Sequence, residues 1–312
     1  MILLAAVAAA VVATAVLAVR GGPSVAASGS GRPGAAAGVI DAVAAESQYA
    51  DVIRQVGGRY VRVTALLSNP NTDPHTFEAS SAVARQVGNA ALVVQNGLGY
   101  DGFMTAIEDA TPNAGRTVID VQHLLNLPDS TPNPHLWYRP ATMPRVAAAV
   151  AAQLSRLRPA DAAYFQANAR AFSRSLTAWT GALAAFRAAH QNTPVVVTEP
   201  VADYLLQAAG AVNRTPWTFQ ADVMNGTDPA PQDVAAVRAL LAHRQAAVLI
   251  YNEQVTDPLT ESLIALAGQH DIPVVGVYET MPQPGYHYQS WMLAETAALR
   301  LAVERHLSTE HL

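Results

Sequence analysis

Two proline–histidine steps, Pro74-His75 in "DPHTFE" and Pro134-His135 in "NPHLWY", and two glutamates, Glu199 and Glu279, are the residues whose types and spacing can do chemistry. Two neutral imidazoles and two carboxylates make a net dianionic set of four donors suited to a divalent first-row metal. The chain has no cysteine, which excludes thiolate zinc sites, Fe–S ligation, thiol nucleophiles and disulfides. All 19 basic residues are arginine, so no Schiff-base or P-loop lysine exists. Any metal therefore falls to His, Asp or Glu. Taken singly, each of the four has an ordinary structural role open to it: a loop histidine is often solvated or a cap, and a glutamate after a strand is often the acid that starts a helix.

Other motifs point elsewhere. "GLGYDG", Gly97 to Gly102, fits the dinucleotide fingerprint and has Asp120 downstream. It follows two earlier strands instead of opening the first βαβ unit, which favours a tight turn over a nicotinamide site. Neither a G-x-S-x-G elbow nor an H-E-x-x-H helix occurs, so a hydrolase is a minority reading. His287 in "PGYHYQ" stands near a proposed ligand, whereas His123, His190, His243, His270, His306 and His311 read as surface or structural residues.

Strands alternate with helices, which predicts parallel βαβ units. "VIDAVAAES", "YVRVTALLS", "ALVVQN" and "RTVIDV" are the strands of a first series; "PVVVTE", "AAVLIYN" and "PVVGVYE" belong to a second. His75, Glu199 and Glu279 all lie beyond the carboxyl ends of predicted strands, where open α/β sheets bind ligands. His135 opens the segment that follows, with Pro134 fixing the chain and Asn133 as a cap or turn residue. Two residues thus come from each series.

Between the series, residues 159–190 keep helical spacing with one glycine inside, enough for a rod of about 45 Å at about 1.5 Å per residue. It reads as a backbone helix between lobes, or as two helices broken near Gly181. A chain of 312 residues exceeds what one core usually holds. The expected division is a signal or anchor segment with linker over 1–35, an N-terminal α/β lobe over 36–155, the linking helix over 156–191 and a C-terminal α/β lobe over 192–312. The fold class is α/β: two lobes, each with a mainly parallel sheet, joined by one long backbone helix.

Ile2 to Val19 is unbroken apolar or small and is followed by a Gly/Ser/Ala linker, which implies export. About eighteen such residues are also near the length that spans a bilayer, so an uncleaved anchor is the other reading. A net charge of −5 without charged runs gives no footprint for nucleic acid or an anionic membrane surface.

"AAESQYADVIRQVGG", "DPHTFEASSAVARQVGNAALVVQNGLGYD", "NPHLWYRPATM", "LRPADAAYFQANARAF", "TEPVADYLLQAAG" and "PVVGVYET" resemble, in order and spacing, the metal-binding solute receptors of manganese, zinc and iron ABC importers (cluster A-I, periplasmic solute-binding protein family 9). The resemblance covers about residues 39 to 307. It implies two lobes on one long helix, with a divalent ion (Mn²⁺ or Zn²⁺, or Fe²⁺) held between them by His75, His135, Glu199 and Glu279. It also implies an ABC permease as partner, export to the periplasm or outer face of the membrane, a monomer, membrane contact only through the N-terminal segment, and no catalysis.

Three departures bear on that picture. Glu279 stands where the usual residue is aspartate, so Glu253 in "YNEQ" is an alternative fourth ligand or an acceptor orienting a histidine. The lipidated cysteine of Gram-positive members is missing. So is the His-rich loop of many zinc receptors, and an oxygen-rich donor set leans towards manganese. A metal-dependent hydrolase, a dinucleotide oxidoreductase and an adhesin-like surface protein are the readings from other classes.

Overall fold

Short runs of branched apolar residues buried on both faces, such as "LVVQ", "PVVV" and "VVGV", form the strands, as a parallel sheet between helix layers requires. The structure, a computed structural model, describes residues 38–70, 77–282 and 285–312. His75 and the 1–35 segment lie outside the described residues.

The first half contains β1 (Ile40–Glu46), α1 (Ser47–Gly57), β2 (Val61–Leu67), α2 (Ser81–Asn89), β3 (Leu92–Gln95), α3 (Phe103–Ala110), β4 (Thr117–Asp120), α4 (Val121–Leu124) and α5 (Thr142–Leu157). Its four strands are all parallel, in the order β2-β1-β3-β4. Next come α6 (Ala162–Ser175) and α7 (Thr177–His190). The second half contains β5 (Pro194–Val197), α8 (Asp203–Ala209), β6 (Val212–Asn213), α9 (Trp217–Met224), α10 (Pro231–Ala242), β7 (Val248–Asn252), α11 (Pro258–Gln269), β8 (Val274–Val277) and α12 (Tyr288–Arg305). Its sheet is again all parallel, in the order β6-β5-β7-β8. Each sheet reverses its winding between its two central strands, β1/β3 and β5/β7, which makes a switch point at the carboxyl ends.

The long helix is present and bent. α6 and α7 meet at buried Leu176, not at Gly181, whose added Cβ would meet only open space. Three hydroxyls cluster around the bend and bond back to the helix carbonyls: Ser173 to Ala169 O (2.9 Å), Ser175 to Phe172 O (2.7 Å) and Thr180 to Leu176 O (3.3 Å). Such bonds compete with the ladder and bend helices.

One apolar core runs through both sheets. It joins Tyr49, Trp137, Tyr138 and Phe172 to Trp179, Val277, Tyr288 and Trp291. α12 seals this junction: its Thr296 accepts from the Trp179 indole N–H (3.1 Å), and at its start Asp51 of α1 accepts from Tyr288 N (2.8 Å). Beyond α12, Thr309 bridges Val275 beside β8, and Gly276 is required there because a Cβ would run into the Glu310 carbonyl. Among the described residues no helix is long and apolar enough to cross a membrane.

Candidate metal centre

His135 is fully buried and is aimed by Asn133. The Asn133 amide donates to Pro200 O (2.7 Å), while its Oδ1 accepts from the backbone N–H of His135 (2.9 Å) and lies 2.8 Å from His135 Nδ1. The carbonyl and the backbone N–H between them fix which end of the amide is oxygen. Nδ1 must therefore carry the proton it donates, which leaves Nε2 to face Glu279 Oε2 at 3.3 Å. Tyr100 and Trp137 pack edge-on against the imidazole, with ring centroids 5.8 and 5.4 Å away.

Glu279 follows β8 and is also fully buried. Its Oε2 accepts from the Tyr100 hydroxyl (2.8 Å) and its Oε1 from the Asn252 amide (2.6 Å). Burial first, and then the Glu279 charge, pushes the Tyr100 phenol well above its ordinary pKa, so it stays a donor. The backbone here is clamped as well. Gln254 Oε1 accepts from Glu279 N (2.7 Å) and Thr280 N (2.6 Å), and from the first half Gln48 donates to Glu279 O (3.2 Å) while Ser47 Oγ accepts from Met281 N (3.0 Å). Glu199, just beyond β5, is buried and accepts from the same Asn252 amide at 3.2 Å.

Of the four residues singled out in the sequence, the structure brings His135 into contact with Glu279 and links Glu199 to Glu279 through Asn252; His75 is outside the described residues. Among the described residues no three His, Asp or Glu side chains are grouped closely enough to hold an ion. Glu253 does not reach His135: it bonds His311 (2.9 Å). β7 ends at Asn252, and Glu253 lies in the turn that follows, which Asn252 Oδ1 closes by accepting from Gln254 N (3.1 Å). His287 is also elsewhere, at the start of α12, 2.9 Å from Asp51. Asn133, Asn252, Gln254 and Tyr100 carry the local geometry, and none of them is a His, Asp or Glu that a metal-ligand pattern would pick out.

"GLGYDG" forms a left-handed turn, with positive φ at Gly97, Leu98 and Gly99. Asp101 ties it by accepting from Asn96 N (2.6 Å) and Gly97 N (2.9 Å). Burial raises the Asp101 carboxyl to about 6 in spite of those bonds. Glu46, at the end of β1, is pushed well up, first by burial and then by Asp101.

The family model for ZnuA, zinc-uptake complex component A, periplasmic, matches residues 42–302. The manganese-binding lipoprotein MntA of Bacillus subtilis (strain 168) is 28% identical over 143 residues, 44% of this chain and 46% of that protein, so the match spans less than half the relative's length. Among solved structures, a periplasmic metal binding protein from Candidatus Liberibacter asiaticus superposes with a TM-score of 0.69 at 18% identity, covering 84% of this chain and 98% of that one. A crystal structure of ZnuA superposes with a TM-score of 0.66 at 20% identity, covering 86% and 98%. At these identities the likeness is one of fold.

Proposed function

The chain belongs to the ZnuA family, the periplasmic component A of zinc-uptake complexes, and on that basis we propose that it is an exported receptor that captures a divalent transition metal between its lobes and delivers it to an ABC permease. The observation that carries this reading is the buried His135–Glu279 pair, in which Asn133 keeps the proton on Nδ1 and turns Nε2 towards a carboxylate. An imidazole whose far nitrogen is fixed by a hydrogen bond is how proteins prepare histidine for a metal.

His135, Glu199, Glu279 and, from the sequence, His75 are the ligands in this reading. In this reading the lobes are residues 36–155 and 192–312, with the linking helix 156–191 between them. The ion is cargo and is carried without chemical change. Glu199 and Glu279 supply up to four oxygens, and such oxygen-rich sites suit Mn²⁺ better than tetrahedral Zn²⁺. The manganese-binding relative supports the same choice. Zinc binds at least as tightly in a test tube, because intrinsic affinity follows the Irving–Williams order.

Elemental analysis of the exported protein, paired with melting curves in Mn²⁺ and Zn²⁺, tests the reading. One divalent ion per chain and a higher melting temperature are expected, with most of that rise lost in His75→Ala and His135→Ala. Unchanged metal content and melting in both variants would place the ion elsewhere.

A further inference from the structure

We propose that Asn252 is a positioning residue that spaces Glu199 and Glu279 and offsets their mutual repulsion, a role that deepens the receptor reading and rests on those two carboxylates being ligands. In the second sheet β7 lies between β5 and β8, so its last residue, Asn252, stands between the two chain segments that carry the glutamates. Its single amide nitrogen reaches both, at 3.2 Å from Glu199 Oε1 and 2.6 Å from Glu279 Oε1.

The amide cannot be reversed. Asn252 Oδ1 accepts from Gln254 N (3.1 Å), a backbone donor, so the end that faces the carboxylates is NH₂. Asn252 N also donates to Thr198 Oγ1 (3.2 Å), which anchors it beside Glu199. An NH₂ has two hydrogens, one for each carboxylate. With Asn252, Glu199 and Glu279 all buried, bulk water cannot take over this work, and two carboxylates brought together away from water disfavour each other's charge. A divalent cation held by the same oxygens supplies far more positive charge than an amide. The contribution of Asn252 is therefore largest when no ion is bound.

The test is a double-mutant cycle in chelator-stripped protein: wild type, Asn252→Asp, Glu279→Gln and the pair. Asn252→Asp replaces both donors with a third carboxylate and is expected to lower the melting temperature by roughly 5–10 °C. Once Glu279→Gln has removed one charge, the same change should cost less than half as much. Saturating Mn²⁺ should likewise shrink the loss in Asn252→Asp by at least half. A residue that only fills space would cost the same in every background, so additive losses in the cycle, or an equal loss with and without Mn²⁺ in a protein that Mn²⁺ stabilises, overturn the proposal.

If Asn252→Asp does not fold when stripped, Asn252→Ser, whose one hydroxyl can serve only one carboxylate, takes its place in the cycle: coupled losses support the proposal and additive losses overturn it. If Mn²⁺ and Zn²⁺ leave the melting temperature of the wild type unmoved, the receptor reading fails, and the metal-free cycle still decides for or against Asn252.

Discussion

Glu279 and Glu295 are both buried glutamates, and one tyrosine stands between them. The Tyr138 hydroxyl lies 2.7 Å from Glu295 Oε1 and 2.8 Å from the carbonyl of Tyr278, the residue before Glu279. Their surroundings differ. Glu279 meets a phenol and an imidazole from the first half and an amide from the second, while Glu295 on α12 has the Trp291 indole N–H (2.6 Å) and Tyr138 among packed rings. Burial drives the Glu295 carboxyl up to about 8, and the donors around it only partly reverse that. Burial alone therefore makes a proton holder. A carboxylate becomes a candidate ligand when polar groups from both sheets converge on it.

The same substitution at the two glutamates should have opposite consequences for metal binding. Glu279→Gln should abolish most of the Mn²⁺-induced stabilisation, which amounts to about 4 kcal/mol at about 1,000 times the dissociation constant. Glu295→Gln should keep it, because Gln preserves the oxygen that Tyr138 and Trp291 use. Calorimetry with and without Mn²⁺ reads both, and equal losses would erase the distinction.

Next in size is a pH effect confined to Glu295. Its folded pKa, about 8, lies above its ordinary value of 4.5. The folded protein thus keeps a proton that the unfolded chain has released. Its contribution to stability is full below about 4.5 and is lost as pH rises towards about 8, by about 1.4 kcal/mol per pH unit. Glu295→Gln has no such loss, so the stability of the variant relative to wild type should climb from pH 5 to pH 8 in urea titrations. A flat difference would mean that Glu295 is already ionised. The smallest effect sharpens the ligand side: Glu199→His exchanges a hard oxygen for a borderline nitrogen and should raise the zinc-to-manganese affinity ratio roughly tenfold, about 1.4 kcal/mol, in competitive titration. An unchanged ratio would remove Glu199 as a determinant of selectivity.

Seven of the eight described strands are legible in the sequence because runs such as "VLIYN" and "VVGV" are short, apolar and buried, and the long helix because its apolar spacing persists; the two-residue β6 (Val212–Asn213) is too short to carry such a pattern. The order of strands within each sheet is not, since it depends on which neighbours pair across the chain. Conformational freedom points to Gly181 for the bend, whereas the bend falls within "SRSLT", whose serine hydroxyls bond back to the helix carbonyls. At the site, the rule that ligands gather at the carboxyl ends of strands picks out Glu199 and Glu279. Applied to "YNEQ" it does not choose among Asn252, Glu253 and Gln254, because the strand ends at Asn252 and the turn beyond it decides which side chains face Glu279. Asn133 is visible as a turn residue, but its hold on His135 depends on Pro200, which is distant in sequence and adjacent in space.

The shared core fixes how rarely the two halves can part. Trp137, Trp179, Tyr288 and Trp291 are fully buried at the junction. Such rings bury about 150–250 Å² each, so exposing even two of them costs on the order of 10 kcal/mol. That corresponds to one molecule in about 10⁷ at any instant. In the receptor reading, separation of the lobes is thus too rare a state to serve as the ordinary way out for the ion. In that reading the ion therefore leaves by exchange of one ligand at a time at the strand ends, on the timescale of side chains and loops rather than of whole domains.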